Sequence, residues 1–264
     1  MSMSKRIDIV SGFYADFDED SRVDATRQGQ LEYLTTMEYI HRHAPAGGKL
    51  LEVGAGTGRY SIALAREGYD VTAVELVKHN LSVLREKGGH LTNLMSHQGD
   101  ALDLSRFPDG SFDMTLVLGP MYHLYDPADV QTAIREAIRV TKKSGVLLFA
   151  FLSVYAIMGT NYLKGNLRRG MELNFTDDFL PRHFPEQLFT GYDIAEFEAL
   201  FHEFPVTHLT TAAADSILEL ASGRSDFSIT DEEFPLWVRY HLATCEKREL
   251  LGHSSHLLYI CRKQ

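Results

Sequence analysis

The chain has 264 residues, 44% of them hydrophobic, enough for one large α/β domain or one domain with a modest second lobe. Its 26 basic and 36 acidic residues give a formal charge of −10, which repels phosphate backbones and disfavours nucleic acid as a partner. Cys245 and Cys261 lack metal-ligand spacing and fit a reducing cytoplasm, and the polar start "MSMSKRIDIV" carries no signal-peptide core. The longest apolar run, from Gly145 to Gly159, falls short of the roughly 20 residues a membrane span needs.

In chain order, the acidic, aromatic stretch "GFYADFDEDSRVD" comes first. The spacing of Leu31, Leu34, Met37, Tyr39 and Ile40 then predicts a helix from about Gln28 to His43, stopped by Pro45, Gly47 and Gly48. "KLLEV" reads as a first strand, "RYSIALAREG" as a helix closed by Gly68, and "DVTAVEL" as a second strand. "VKHNLSVLREKGG" is a helix, "NLMSHQGD" a third strand, and "FDMTLVLG" a fourth. "DPADVQTAIREAIRVTKK" is a helix with Asp126 as N-cap and Pro127 at its first position, followed by the strand "GVLLFAFL". Alternating helices and continuous apolar strands through Leu152 predict a doubly wound, Rossmann-like α/β sheet covered on both faces. Beyond it the pattern loosens into an insertion. "DIAEFEALFHEF" then reads as a helix, "PVTHLTTAA" as a strand, "DEEFPLWVRYHLATCEKREL" as mostly helical with a boundary at Pro235, and "HLLYICRK" as the last strand.

The segment "EVGAGTGRY" places Gly54, Gly56 and Gly58 at alternate positions after the first strand, where such sheets bind ligands. A dinucleotide fingerprint needs a third glycine where this chain has Arg59, so NAD is disfavoured. The other reading is a loop on which a small zwitterion lies against bare backbone. Glu52 then either holds that loop or reaches the ligand's ammonium group through water. Glu75, at the end of the second strand, suits ribose hydroxyls. Asp100 after the third can accept from an adenine amino group, and the Ala101 N–H can serve a ring nitrogen. A ribose acid, an adenine acid and a glycine loop for an amino-acid tail describe S-adenosylmethionine, with nothing specialised for a pyrophosphate.

The segments "LEVGAGTGRY", "VTAVEL", "GDALDLSRFPDGSFDMTLVLGPMYHL" and "REAIRVTKKSGVLLF" together resemble a class I S-adenosylmethionine-dependent methyltransferase over roughly residues 49–152. Within that family "LGPMYHL" is most similar to bacterial small-molecule methyltransferases. The resemblance implies a seven-stranded sheet with its last strand antiparallel, an N-terminal helical lid, and helical insertions after strands 5 and 6. It implies one domain over 1–264: a lid and helix at 1–45, the cofactor core at 49–152, an insertion capping the acceptor at 153–190, and the rest of the sheet with a helical insertion at 191–264. The implied cofactor set is Glu52, Gly54, Ala55, Gly56, Glu75, Leu76, Asp100, Ala101, Leu118 and Gly119, joined by Tyr14 and Arg22 from the lid. The expected reaction is methyl transfer to an O, N or C atom of a small acceptor. An RNA methyltransferase and a non-catalytic S-adenosylmethionine-binding protein are the alternatives.

The chain departs from the N/D-P-P-Y motif of the branches that methylate planar amines, since "LGPMYH" has no Asn or Asp at that point. No metal-ligand pattern such as H-E-x-x-H is present in the sequence. Tyr122 and His123 follow the fourth strand, where sulfonium and acceptor meet. They read either as pocket wall or, for His123, as a general base, since an ordinary histidine titrates near neutrality. Asp113 reads as a strand-entry residue and Asp103 as a turn cap. Arg168, Arg169, Arg182 and His183 either attract an anionic acceptor or balance nearby acids. Oligomeric state is left open.

Overall fold

The apolar runs and the glycines that end them become the strands and turns of one mixed sheet. The computed structural model describes residues 3–16, 26–163, 165–185 and 187–264. The strands are β1 (Lys49–Val53), β2 (Asp70–Glu75), β3 (Leu94–Gln98), β4 (Phe112–Val117), β5 (Thr141–Ser153), β6 (Gly191–Tyr192), β7 (Val206–Ala213) and β8 (His256–Lys263). Their order is β3-β2-β1-β4-β5-β8-β7, with β6 alongside β5. β8 runs antiparallel to both β5 and β7, and the other pairings are parallel. The strand order reverses between β1 and β4, which makes that edge-to-edge seam the switch point of the sheet.

The helices are α1 (Met3–Asp16), α2 (Arg27–His43), α3 (Arg59–Arg66), α4 (Lys78–Gly88), α5 (Pro127–Val140), α6 (Val154–Ile157), α7 (Leu167–Asn174), α8 (Ile194–Ala199), α9 (Leu218–Ser222), α10 (Phe234–Thr244) and α11 (Arg248–Leu251). α2 starts where the Thr26 hydroxyl accepts from Gly29 N at 3.0 Å, and α5 where Asp126 accepts from Ala128 N at 2.9 Å. Such caps contribute about 1 kcal/mol each. On α2, Leu31, Met37, Tyr39 and Ile40 are buried as their spacing predicts, whereas Leu34 is exposed. β5 lies at the heart of the core: Phe149 and Phe151 are fully buried, and Phe151 stacks on Phe197 of α8 with centroids 4.0 Å apart. Each such ring gains roughly 1.5–3 kcal/mol by leaving water.

Three elements differ from the expected pattern. The helix read through Lys143 ends at Val140, because the Thr141 hydroxyl donates to Ala137 O and lies 2.7 Å from the Thr115 hydroxyl on β4. That cross-strand contact recruits Thr141 into β5, and Lys142 turns to Asp113 at 2.7 Å. The two-residue β6 was not foreseen. It forms because Gly191 lets the chain pass beside Val154; a Cβ there would lie 2.8 Å from Val154 Cα. The strand expected as sixth is therefore β7. In the insertion, α6 runs into a π-helical turn, Met158–Tyr162, that periodicity does not announce. Cys245 and Cys261 are both free and buried. Among the described residues, no helix is long and apolar enough to cross a membrane.

Candidate active site

A cavity of about 700 Å³ opens at the switch point. Gly54 after β1 and Gly119 after β4 let the two loops abut: Gly54 has φ +77°, and a Cβ on it would lie 2.5 Å from Pro120 Cδ. Gly58, at φ +89°, faces Leu84 of α4 instead, so the third glycine serves helix packing. Gly56 presents its N–H to the acid that ends β2. Glu75 Oε2 accepts it at 2.7 Å, while Oε1 accepts from Val77 N at 2.7 Å. One carboxylate thereby ties the glycine loop to the start of α4.

Glu52 lies beneath that loop and is 2% exposed. It accepts from the Ser61 hydroxyl on α3, the helix that follows the loop, and also lines the cavity. Burial, aided by the nearby Glu75 charge and opposed by Ser61, pushes its pKa up to about 8. Asp100, after β3, forms an ion pair with Arg6 of α1 and accepts from Leu102 N at 3.2 Å. Asp113 and Asp103 stay outside the cavity: Asp113 binds Lys49 N and Lys142, and Asp103 caps the turn at Ser105 N.

The far end of the cavity is aromatic. Phe13, Tyr14, His123 and Phe189 form a cluster of edge-on and tilted rings with neighbouring centroids 5.1–5.7 Å apart. His123 Nδ1 donates to Leu188 O at 2.7 Å, which fixes the tautomer, so Nε2 accepts from the Tyr14 hydroxyl at 3.2 Å. Burial lowers the His123 pKa to about 4, with Arg6 adding to it and the Leu188 bond opposing it. The ring is therefore neutral and weakly basic at neutral pH. Tyr122 donates to Leu118 O at 2.5 Å, and its ring is 6.0 Å from that of His256.

Of the residues expected from sequence, Tyr14, Glu52, Gly54, Ala55, Gly56, Glu75, Leu76, Asp100, Ala101, Leu118, Gly119 and His123 all line this one cavity. Arg22 and Phe17 lie outside the described residues. Arg168, Arg169, Arg182 and His183 are not among the lining residues, and His183 pairs with Glu196 at 2.7 Å. The sequence reading missed Arg6, Gln28, Glu32, Thr36, Glu219 and His256, which also line it. Gln28, Glu32 and Thr36 recur every four residues on α2, a spacing indistinguishable from an ordinary helix face. For His256 a signal did exist: the first residue of an antiparallel β8 must lie at the carboxyl end of β5, where it pairs with Leu152.

Residues 51–149 match a family model described as a methyltransferase domain. The chain is 30% identical over 192 residues to a ubiquinone biosynthesis O-methyltransferase of Methylococcus capsulatus, a match covering 66% of this chain and 77% of that protein. It is 29% identical to YqeM of Bacillus subtilis over 56% of this chain and 58% of that one. The chain spans only about half to three fifths of several other curated relatives that it matches. A SAM-dependent methyltransferase structure from Thermotoga maritima shares the fold with a TM-score of 0.61 at 18% identity, covering 98% of this chain and 100% of that one. The chain belongs to the class I S-adenosylmethionine-dependent methyltransferases. The acids at the ends of β2 and β3 and the glycine loop, gathered on one cavity, fit that cofactor.

Proposed function

We propose that the protein transfers the methyl group of S-adenosylmethionine to a small-molecule acceptor held in the same cavity. The observation that carries this reading is the cavity's continuity: it runs from Glu75 and Asp100 to Tyr162, Asn174 and Phe189 of the insertion. Its volume lies in the range of small-molecule sites. In this reading Glu75 receives the ribose hydroxyls, and Asp100 and the Ala101 N–H receive the adenine. Leu76 and Leu118 supply apolar walls, and Ala55, Gly56 and Gly119 give the methionyl tail access to backbone. Tyr14 on α1 serves as lid, and residues 153–190 cap the acceptor. His123, neutral and bonded to Tyr14, holds that lid contact in place of serving as a strong base. When bound, the cofactor supplies an activated methyl group on a sulfonium. The chain's part is to align the acceptor in line with it and exclude water, a placement worth about 7–11 kcal/mol.

Titration calorimetry with S-adenosylhomocysteine and with NAD, followed by product analysis over a small-molecule library, tests this. Binding of the first ligand alone and a methylated small molecule are expected. Preference for NAD, or cofactor binding without any transfer, would count against it.

A further inference from the structure

β8 delivers a second histidine to the cavity, with a buried acid behind it. His256 lines the cavity, and Asp215, just after β7, has 0% exposure. Asp215 Oδ2 accepts from His256 Nδ1 and from Gln28 Nε2, each at 2.8 Å. Its Oδ1 accepts from the Ser254 hydroxyl at 2.5 Å, Ser255 N at 3.0 Å and His256 N at 3.2 Å. Gln28 Nε2 also lies 3.4 Å from His256 Nδ1, but both atoms are donors once Nδ1 carries its proton, and the shorter bonds to Oδ2 decide the arrangement. Burial pushes the Asp215 carboxyl up, yet His256, Ser254 and Gln28 together hold it below the ordinary carboxylate value. An ionised Asp215 fixes the Nδ1–H tautomer and stabilises the imidazolium that forms when Nε2 takes a proton.

Glu219 of α9 also lines the cavity, and one carboxylate oxygen of it lies within 4.8 Å of ligand atoms on both Asp215 and His256. These three residues have metal-ligand types. However, Asp215 is already saturated by five donors, and a metal on the group would have to displace Gln28 or the Nδ1 proton. The donor pattern is that of a proton acceptor. The local charge narrows the ligand. Among the described residues, the arginines that line the cavity, Arg6 and Arg59, are held at the cofactor end, Arg6 by Asp100 and Arg59 over the Tyr33 ring at 4.5 Å. Glu32 and Glu219 line the cavity, with Asp215 behind them, and Gln28, one turn before Glu32, touches that acid.

We propose that His256, positioned by Asp215, is the proton acceptor of the methyl-transfer site, and that with Glu219 it selects a small amine. This rests on the small-molecule reading above. Glu219 attracts the ammonium form. The ammonium nitrogen gives a proton to His256 Nε2, and its freed lone pair forms the N–C bond as the C–S bond breaks. The C–S electron pair stays on sulfur, which becomes neutral, the methylated nitrogen takes up the positive charge that the sulfonium loses, and the imidazolium returns its proton to water. An ammonium has no lone pair and cannot attack, so an amine acceptor needs this base where a pre-ionised oxygen acid would not.

The test offers the protein S-adenosylmethionine with small amines, the matching alcohols, phenols and carboxylates, and reads products by mass spectrometry. N-methylation is expected. Transfer confined to oxygen acids overturns the amine assignment while leaving the small-molecule reading intact; no transfer to any of them, with cofactor bound, overturns both. On the best amine, His256→Gln should lower kcat at least about 100-fold with KM changed less than about threefold. A folded variant with wild-type kcat refutes the role.

Asp215→Asn should move the acidic limb of the kcat/KM profile to lower pH; an unmoved limb refutes its positioning part. Among the described residues, the groups facing this pair include Glu219 on α9, Tyr122 after β4, Gln28 on α2, and His241 on α10 next to Asp215. Nitrogen NMR of the ligand-free chain should show the His256 proton on Nδ1, and a proton on Nε2 alone would contradict the pairing. Activity lost to a chelator and restored by Mg²⁺ or Zn²⁺ would replace the proton acceptor by a metal site.

Discussion

Replacing Glu52 by glutamine isolates one titration from the rest of the protein. The side chain is fully enclosed, and burial raises its pKa from the ordinary 4.5 to about 8. The folded chain thus holds this proton over a pH range in which the unfolded chain has released it. The stability that Glu52 contributes is complete below about pH 4.5 and is lost as pH rises through about 8. Between pH 5 and pH 7 the loss is on the order of 2–3 kcal/mol, at roughly 1.4 kcal/mol per pH unit once both values are taken into account. Glutamine keeps an acceptor for Ser61 and does not titrate. Urea unfolding of both proteins at pH 5, 6 and 7 gives the comparison, provided their m-values agree. The wild-type stability minus that of Glu52→Gln should fall by about 2–3 kcal/mol across this window, other groups cancelling in the difference. Two curves that stay parallel would refute the claim that a protonated carboxyl lies under the glycine loop.

Three further outcomes follow from the cavity's construction. Glu75→Gln should weaken S-adenosylhomocysteine binding at least tenfold by calorimetry, since a neutral amide replaces charge-assisted bonds to ribose; unchanged affinity would remove Glu75 from the site. Gly54→Ala, at φ +77° and against Pro120, should cost about 1–3 kcal/mol in stability and reduce cofactor affinity, and a variant matching wild type in both would show that the two loops need not abut. Amide exchange across α1 should slow when S-adenosylhomocysteine is bound, because Phe13 and Tyr14 line the cavity and Arg6 is tied to Asp100. Equal exchange in both states would take α1 out of the closing mechanism.

The sheet was legible where one physical signal dominated. Continuous apolar runs marked β1, β2, β4 and β5, with Gly54 ending the first and Gly119 following the fourth strand, and Asp126 with Pro127 marked the start of α5. The end of α5 was not legible, because the polar run after Val140 looks helical until the Thr141–Thr115 contact between distant strands is known. β6 carries only two residues and no period at all. The acids at the ends of β2 and β3 could be read because chain order and spatial order agree in a parallel sheet. Asp215 could not, since it meets His256 only through an antiparallel strand 41 residues later in the chain, although that strand's direction alone would have brought His256 to the carboxyl end of β5. Glu32 was hidden for the opposite reason: its spacing fits a plain helix face as well as a cavity wall.

The most direct test of methyl transfer to a small acceptor uses S-adenosylmethionine labelled in its methyl group, given to the protein with a mixed small-molecule extract and bulk RNA. The expected result is label in the small-molecule fraction, with S-adenosylhomocysteine formed in equal amount. Label recovered in RNA, or cofactor bound but never consumed, would contradict it.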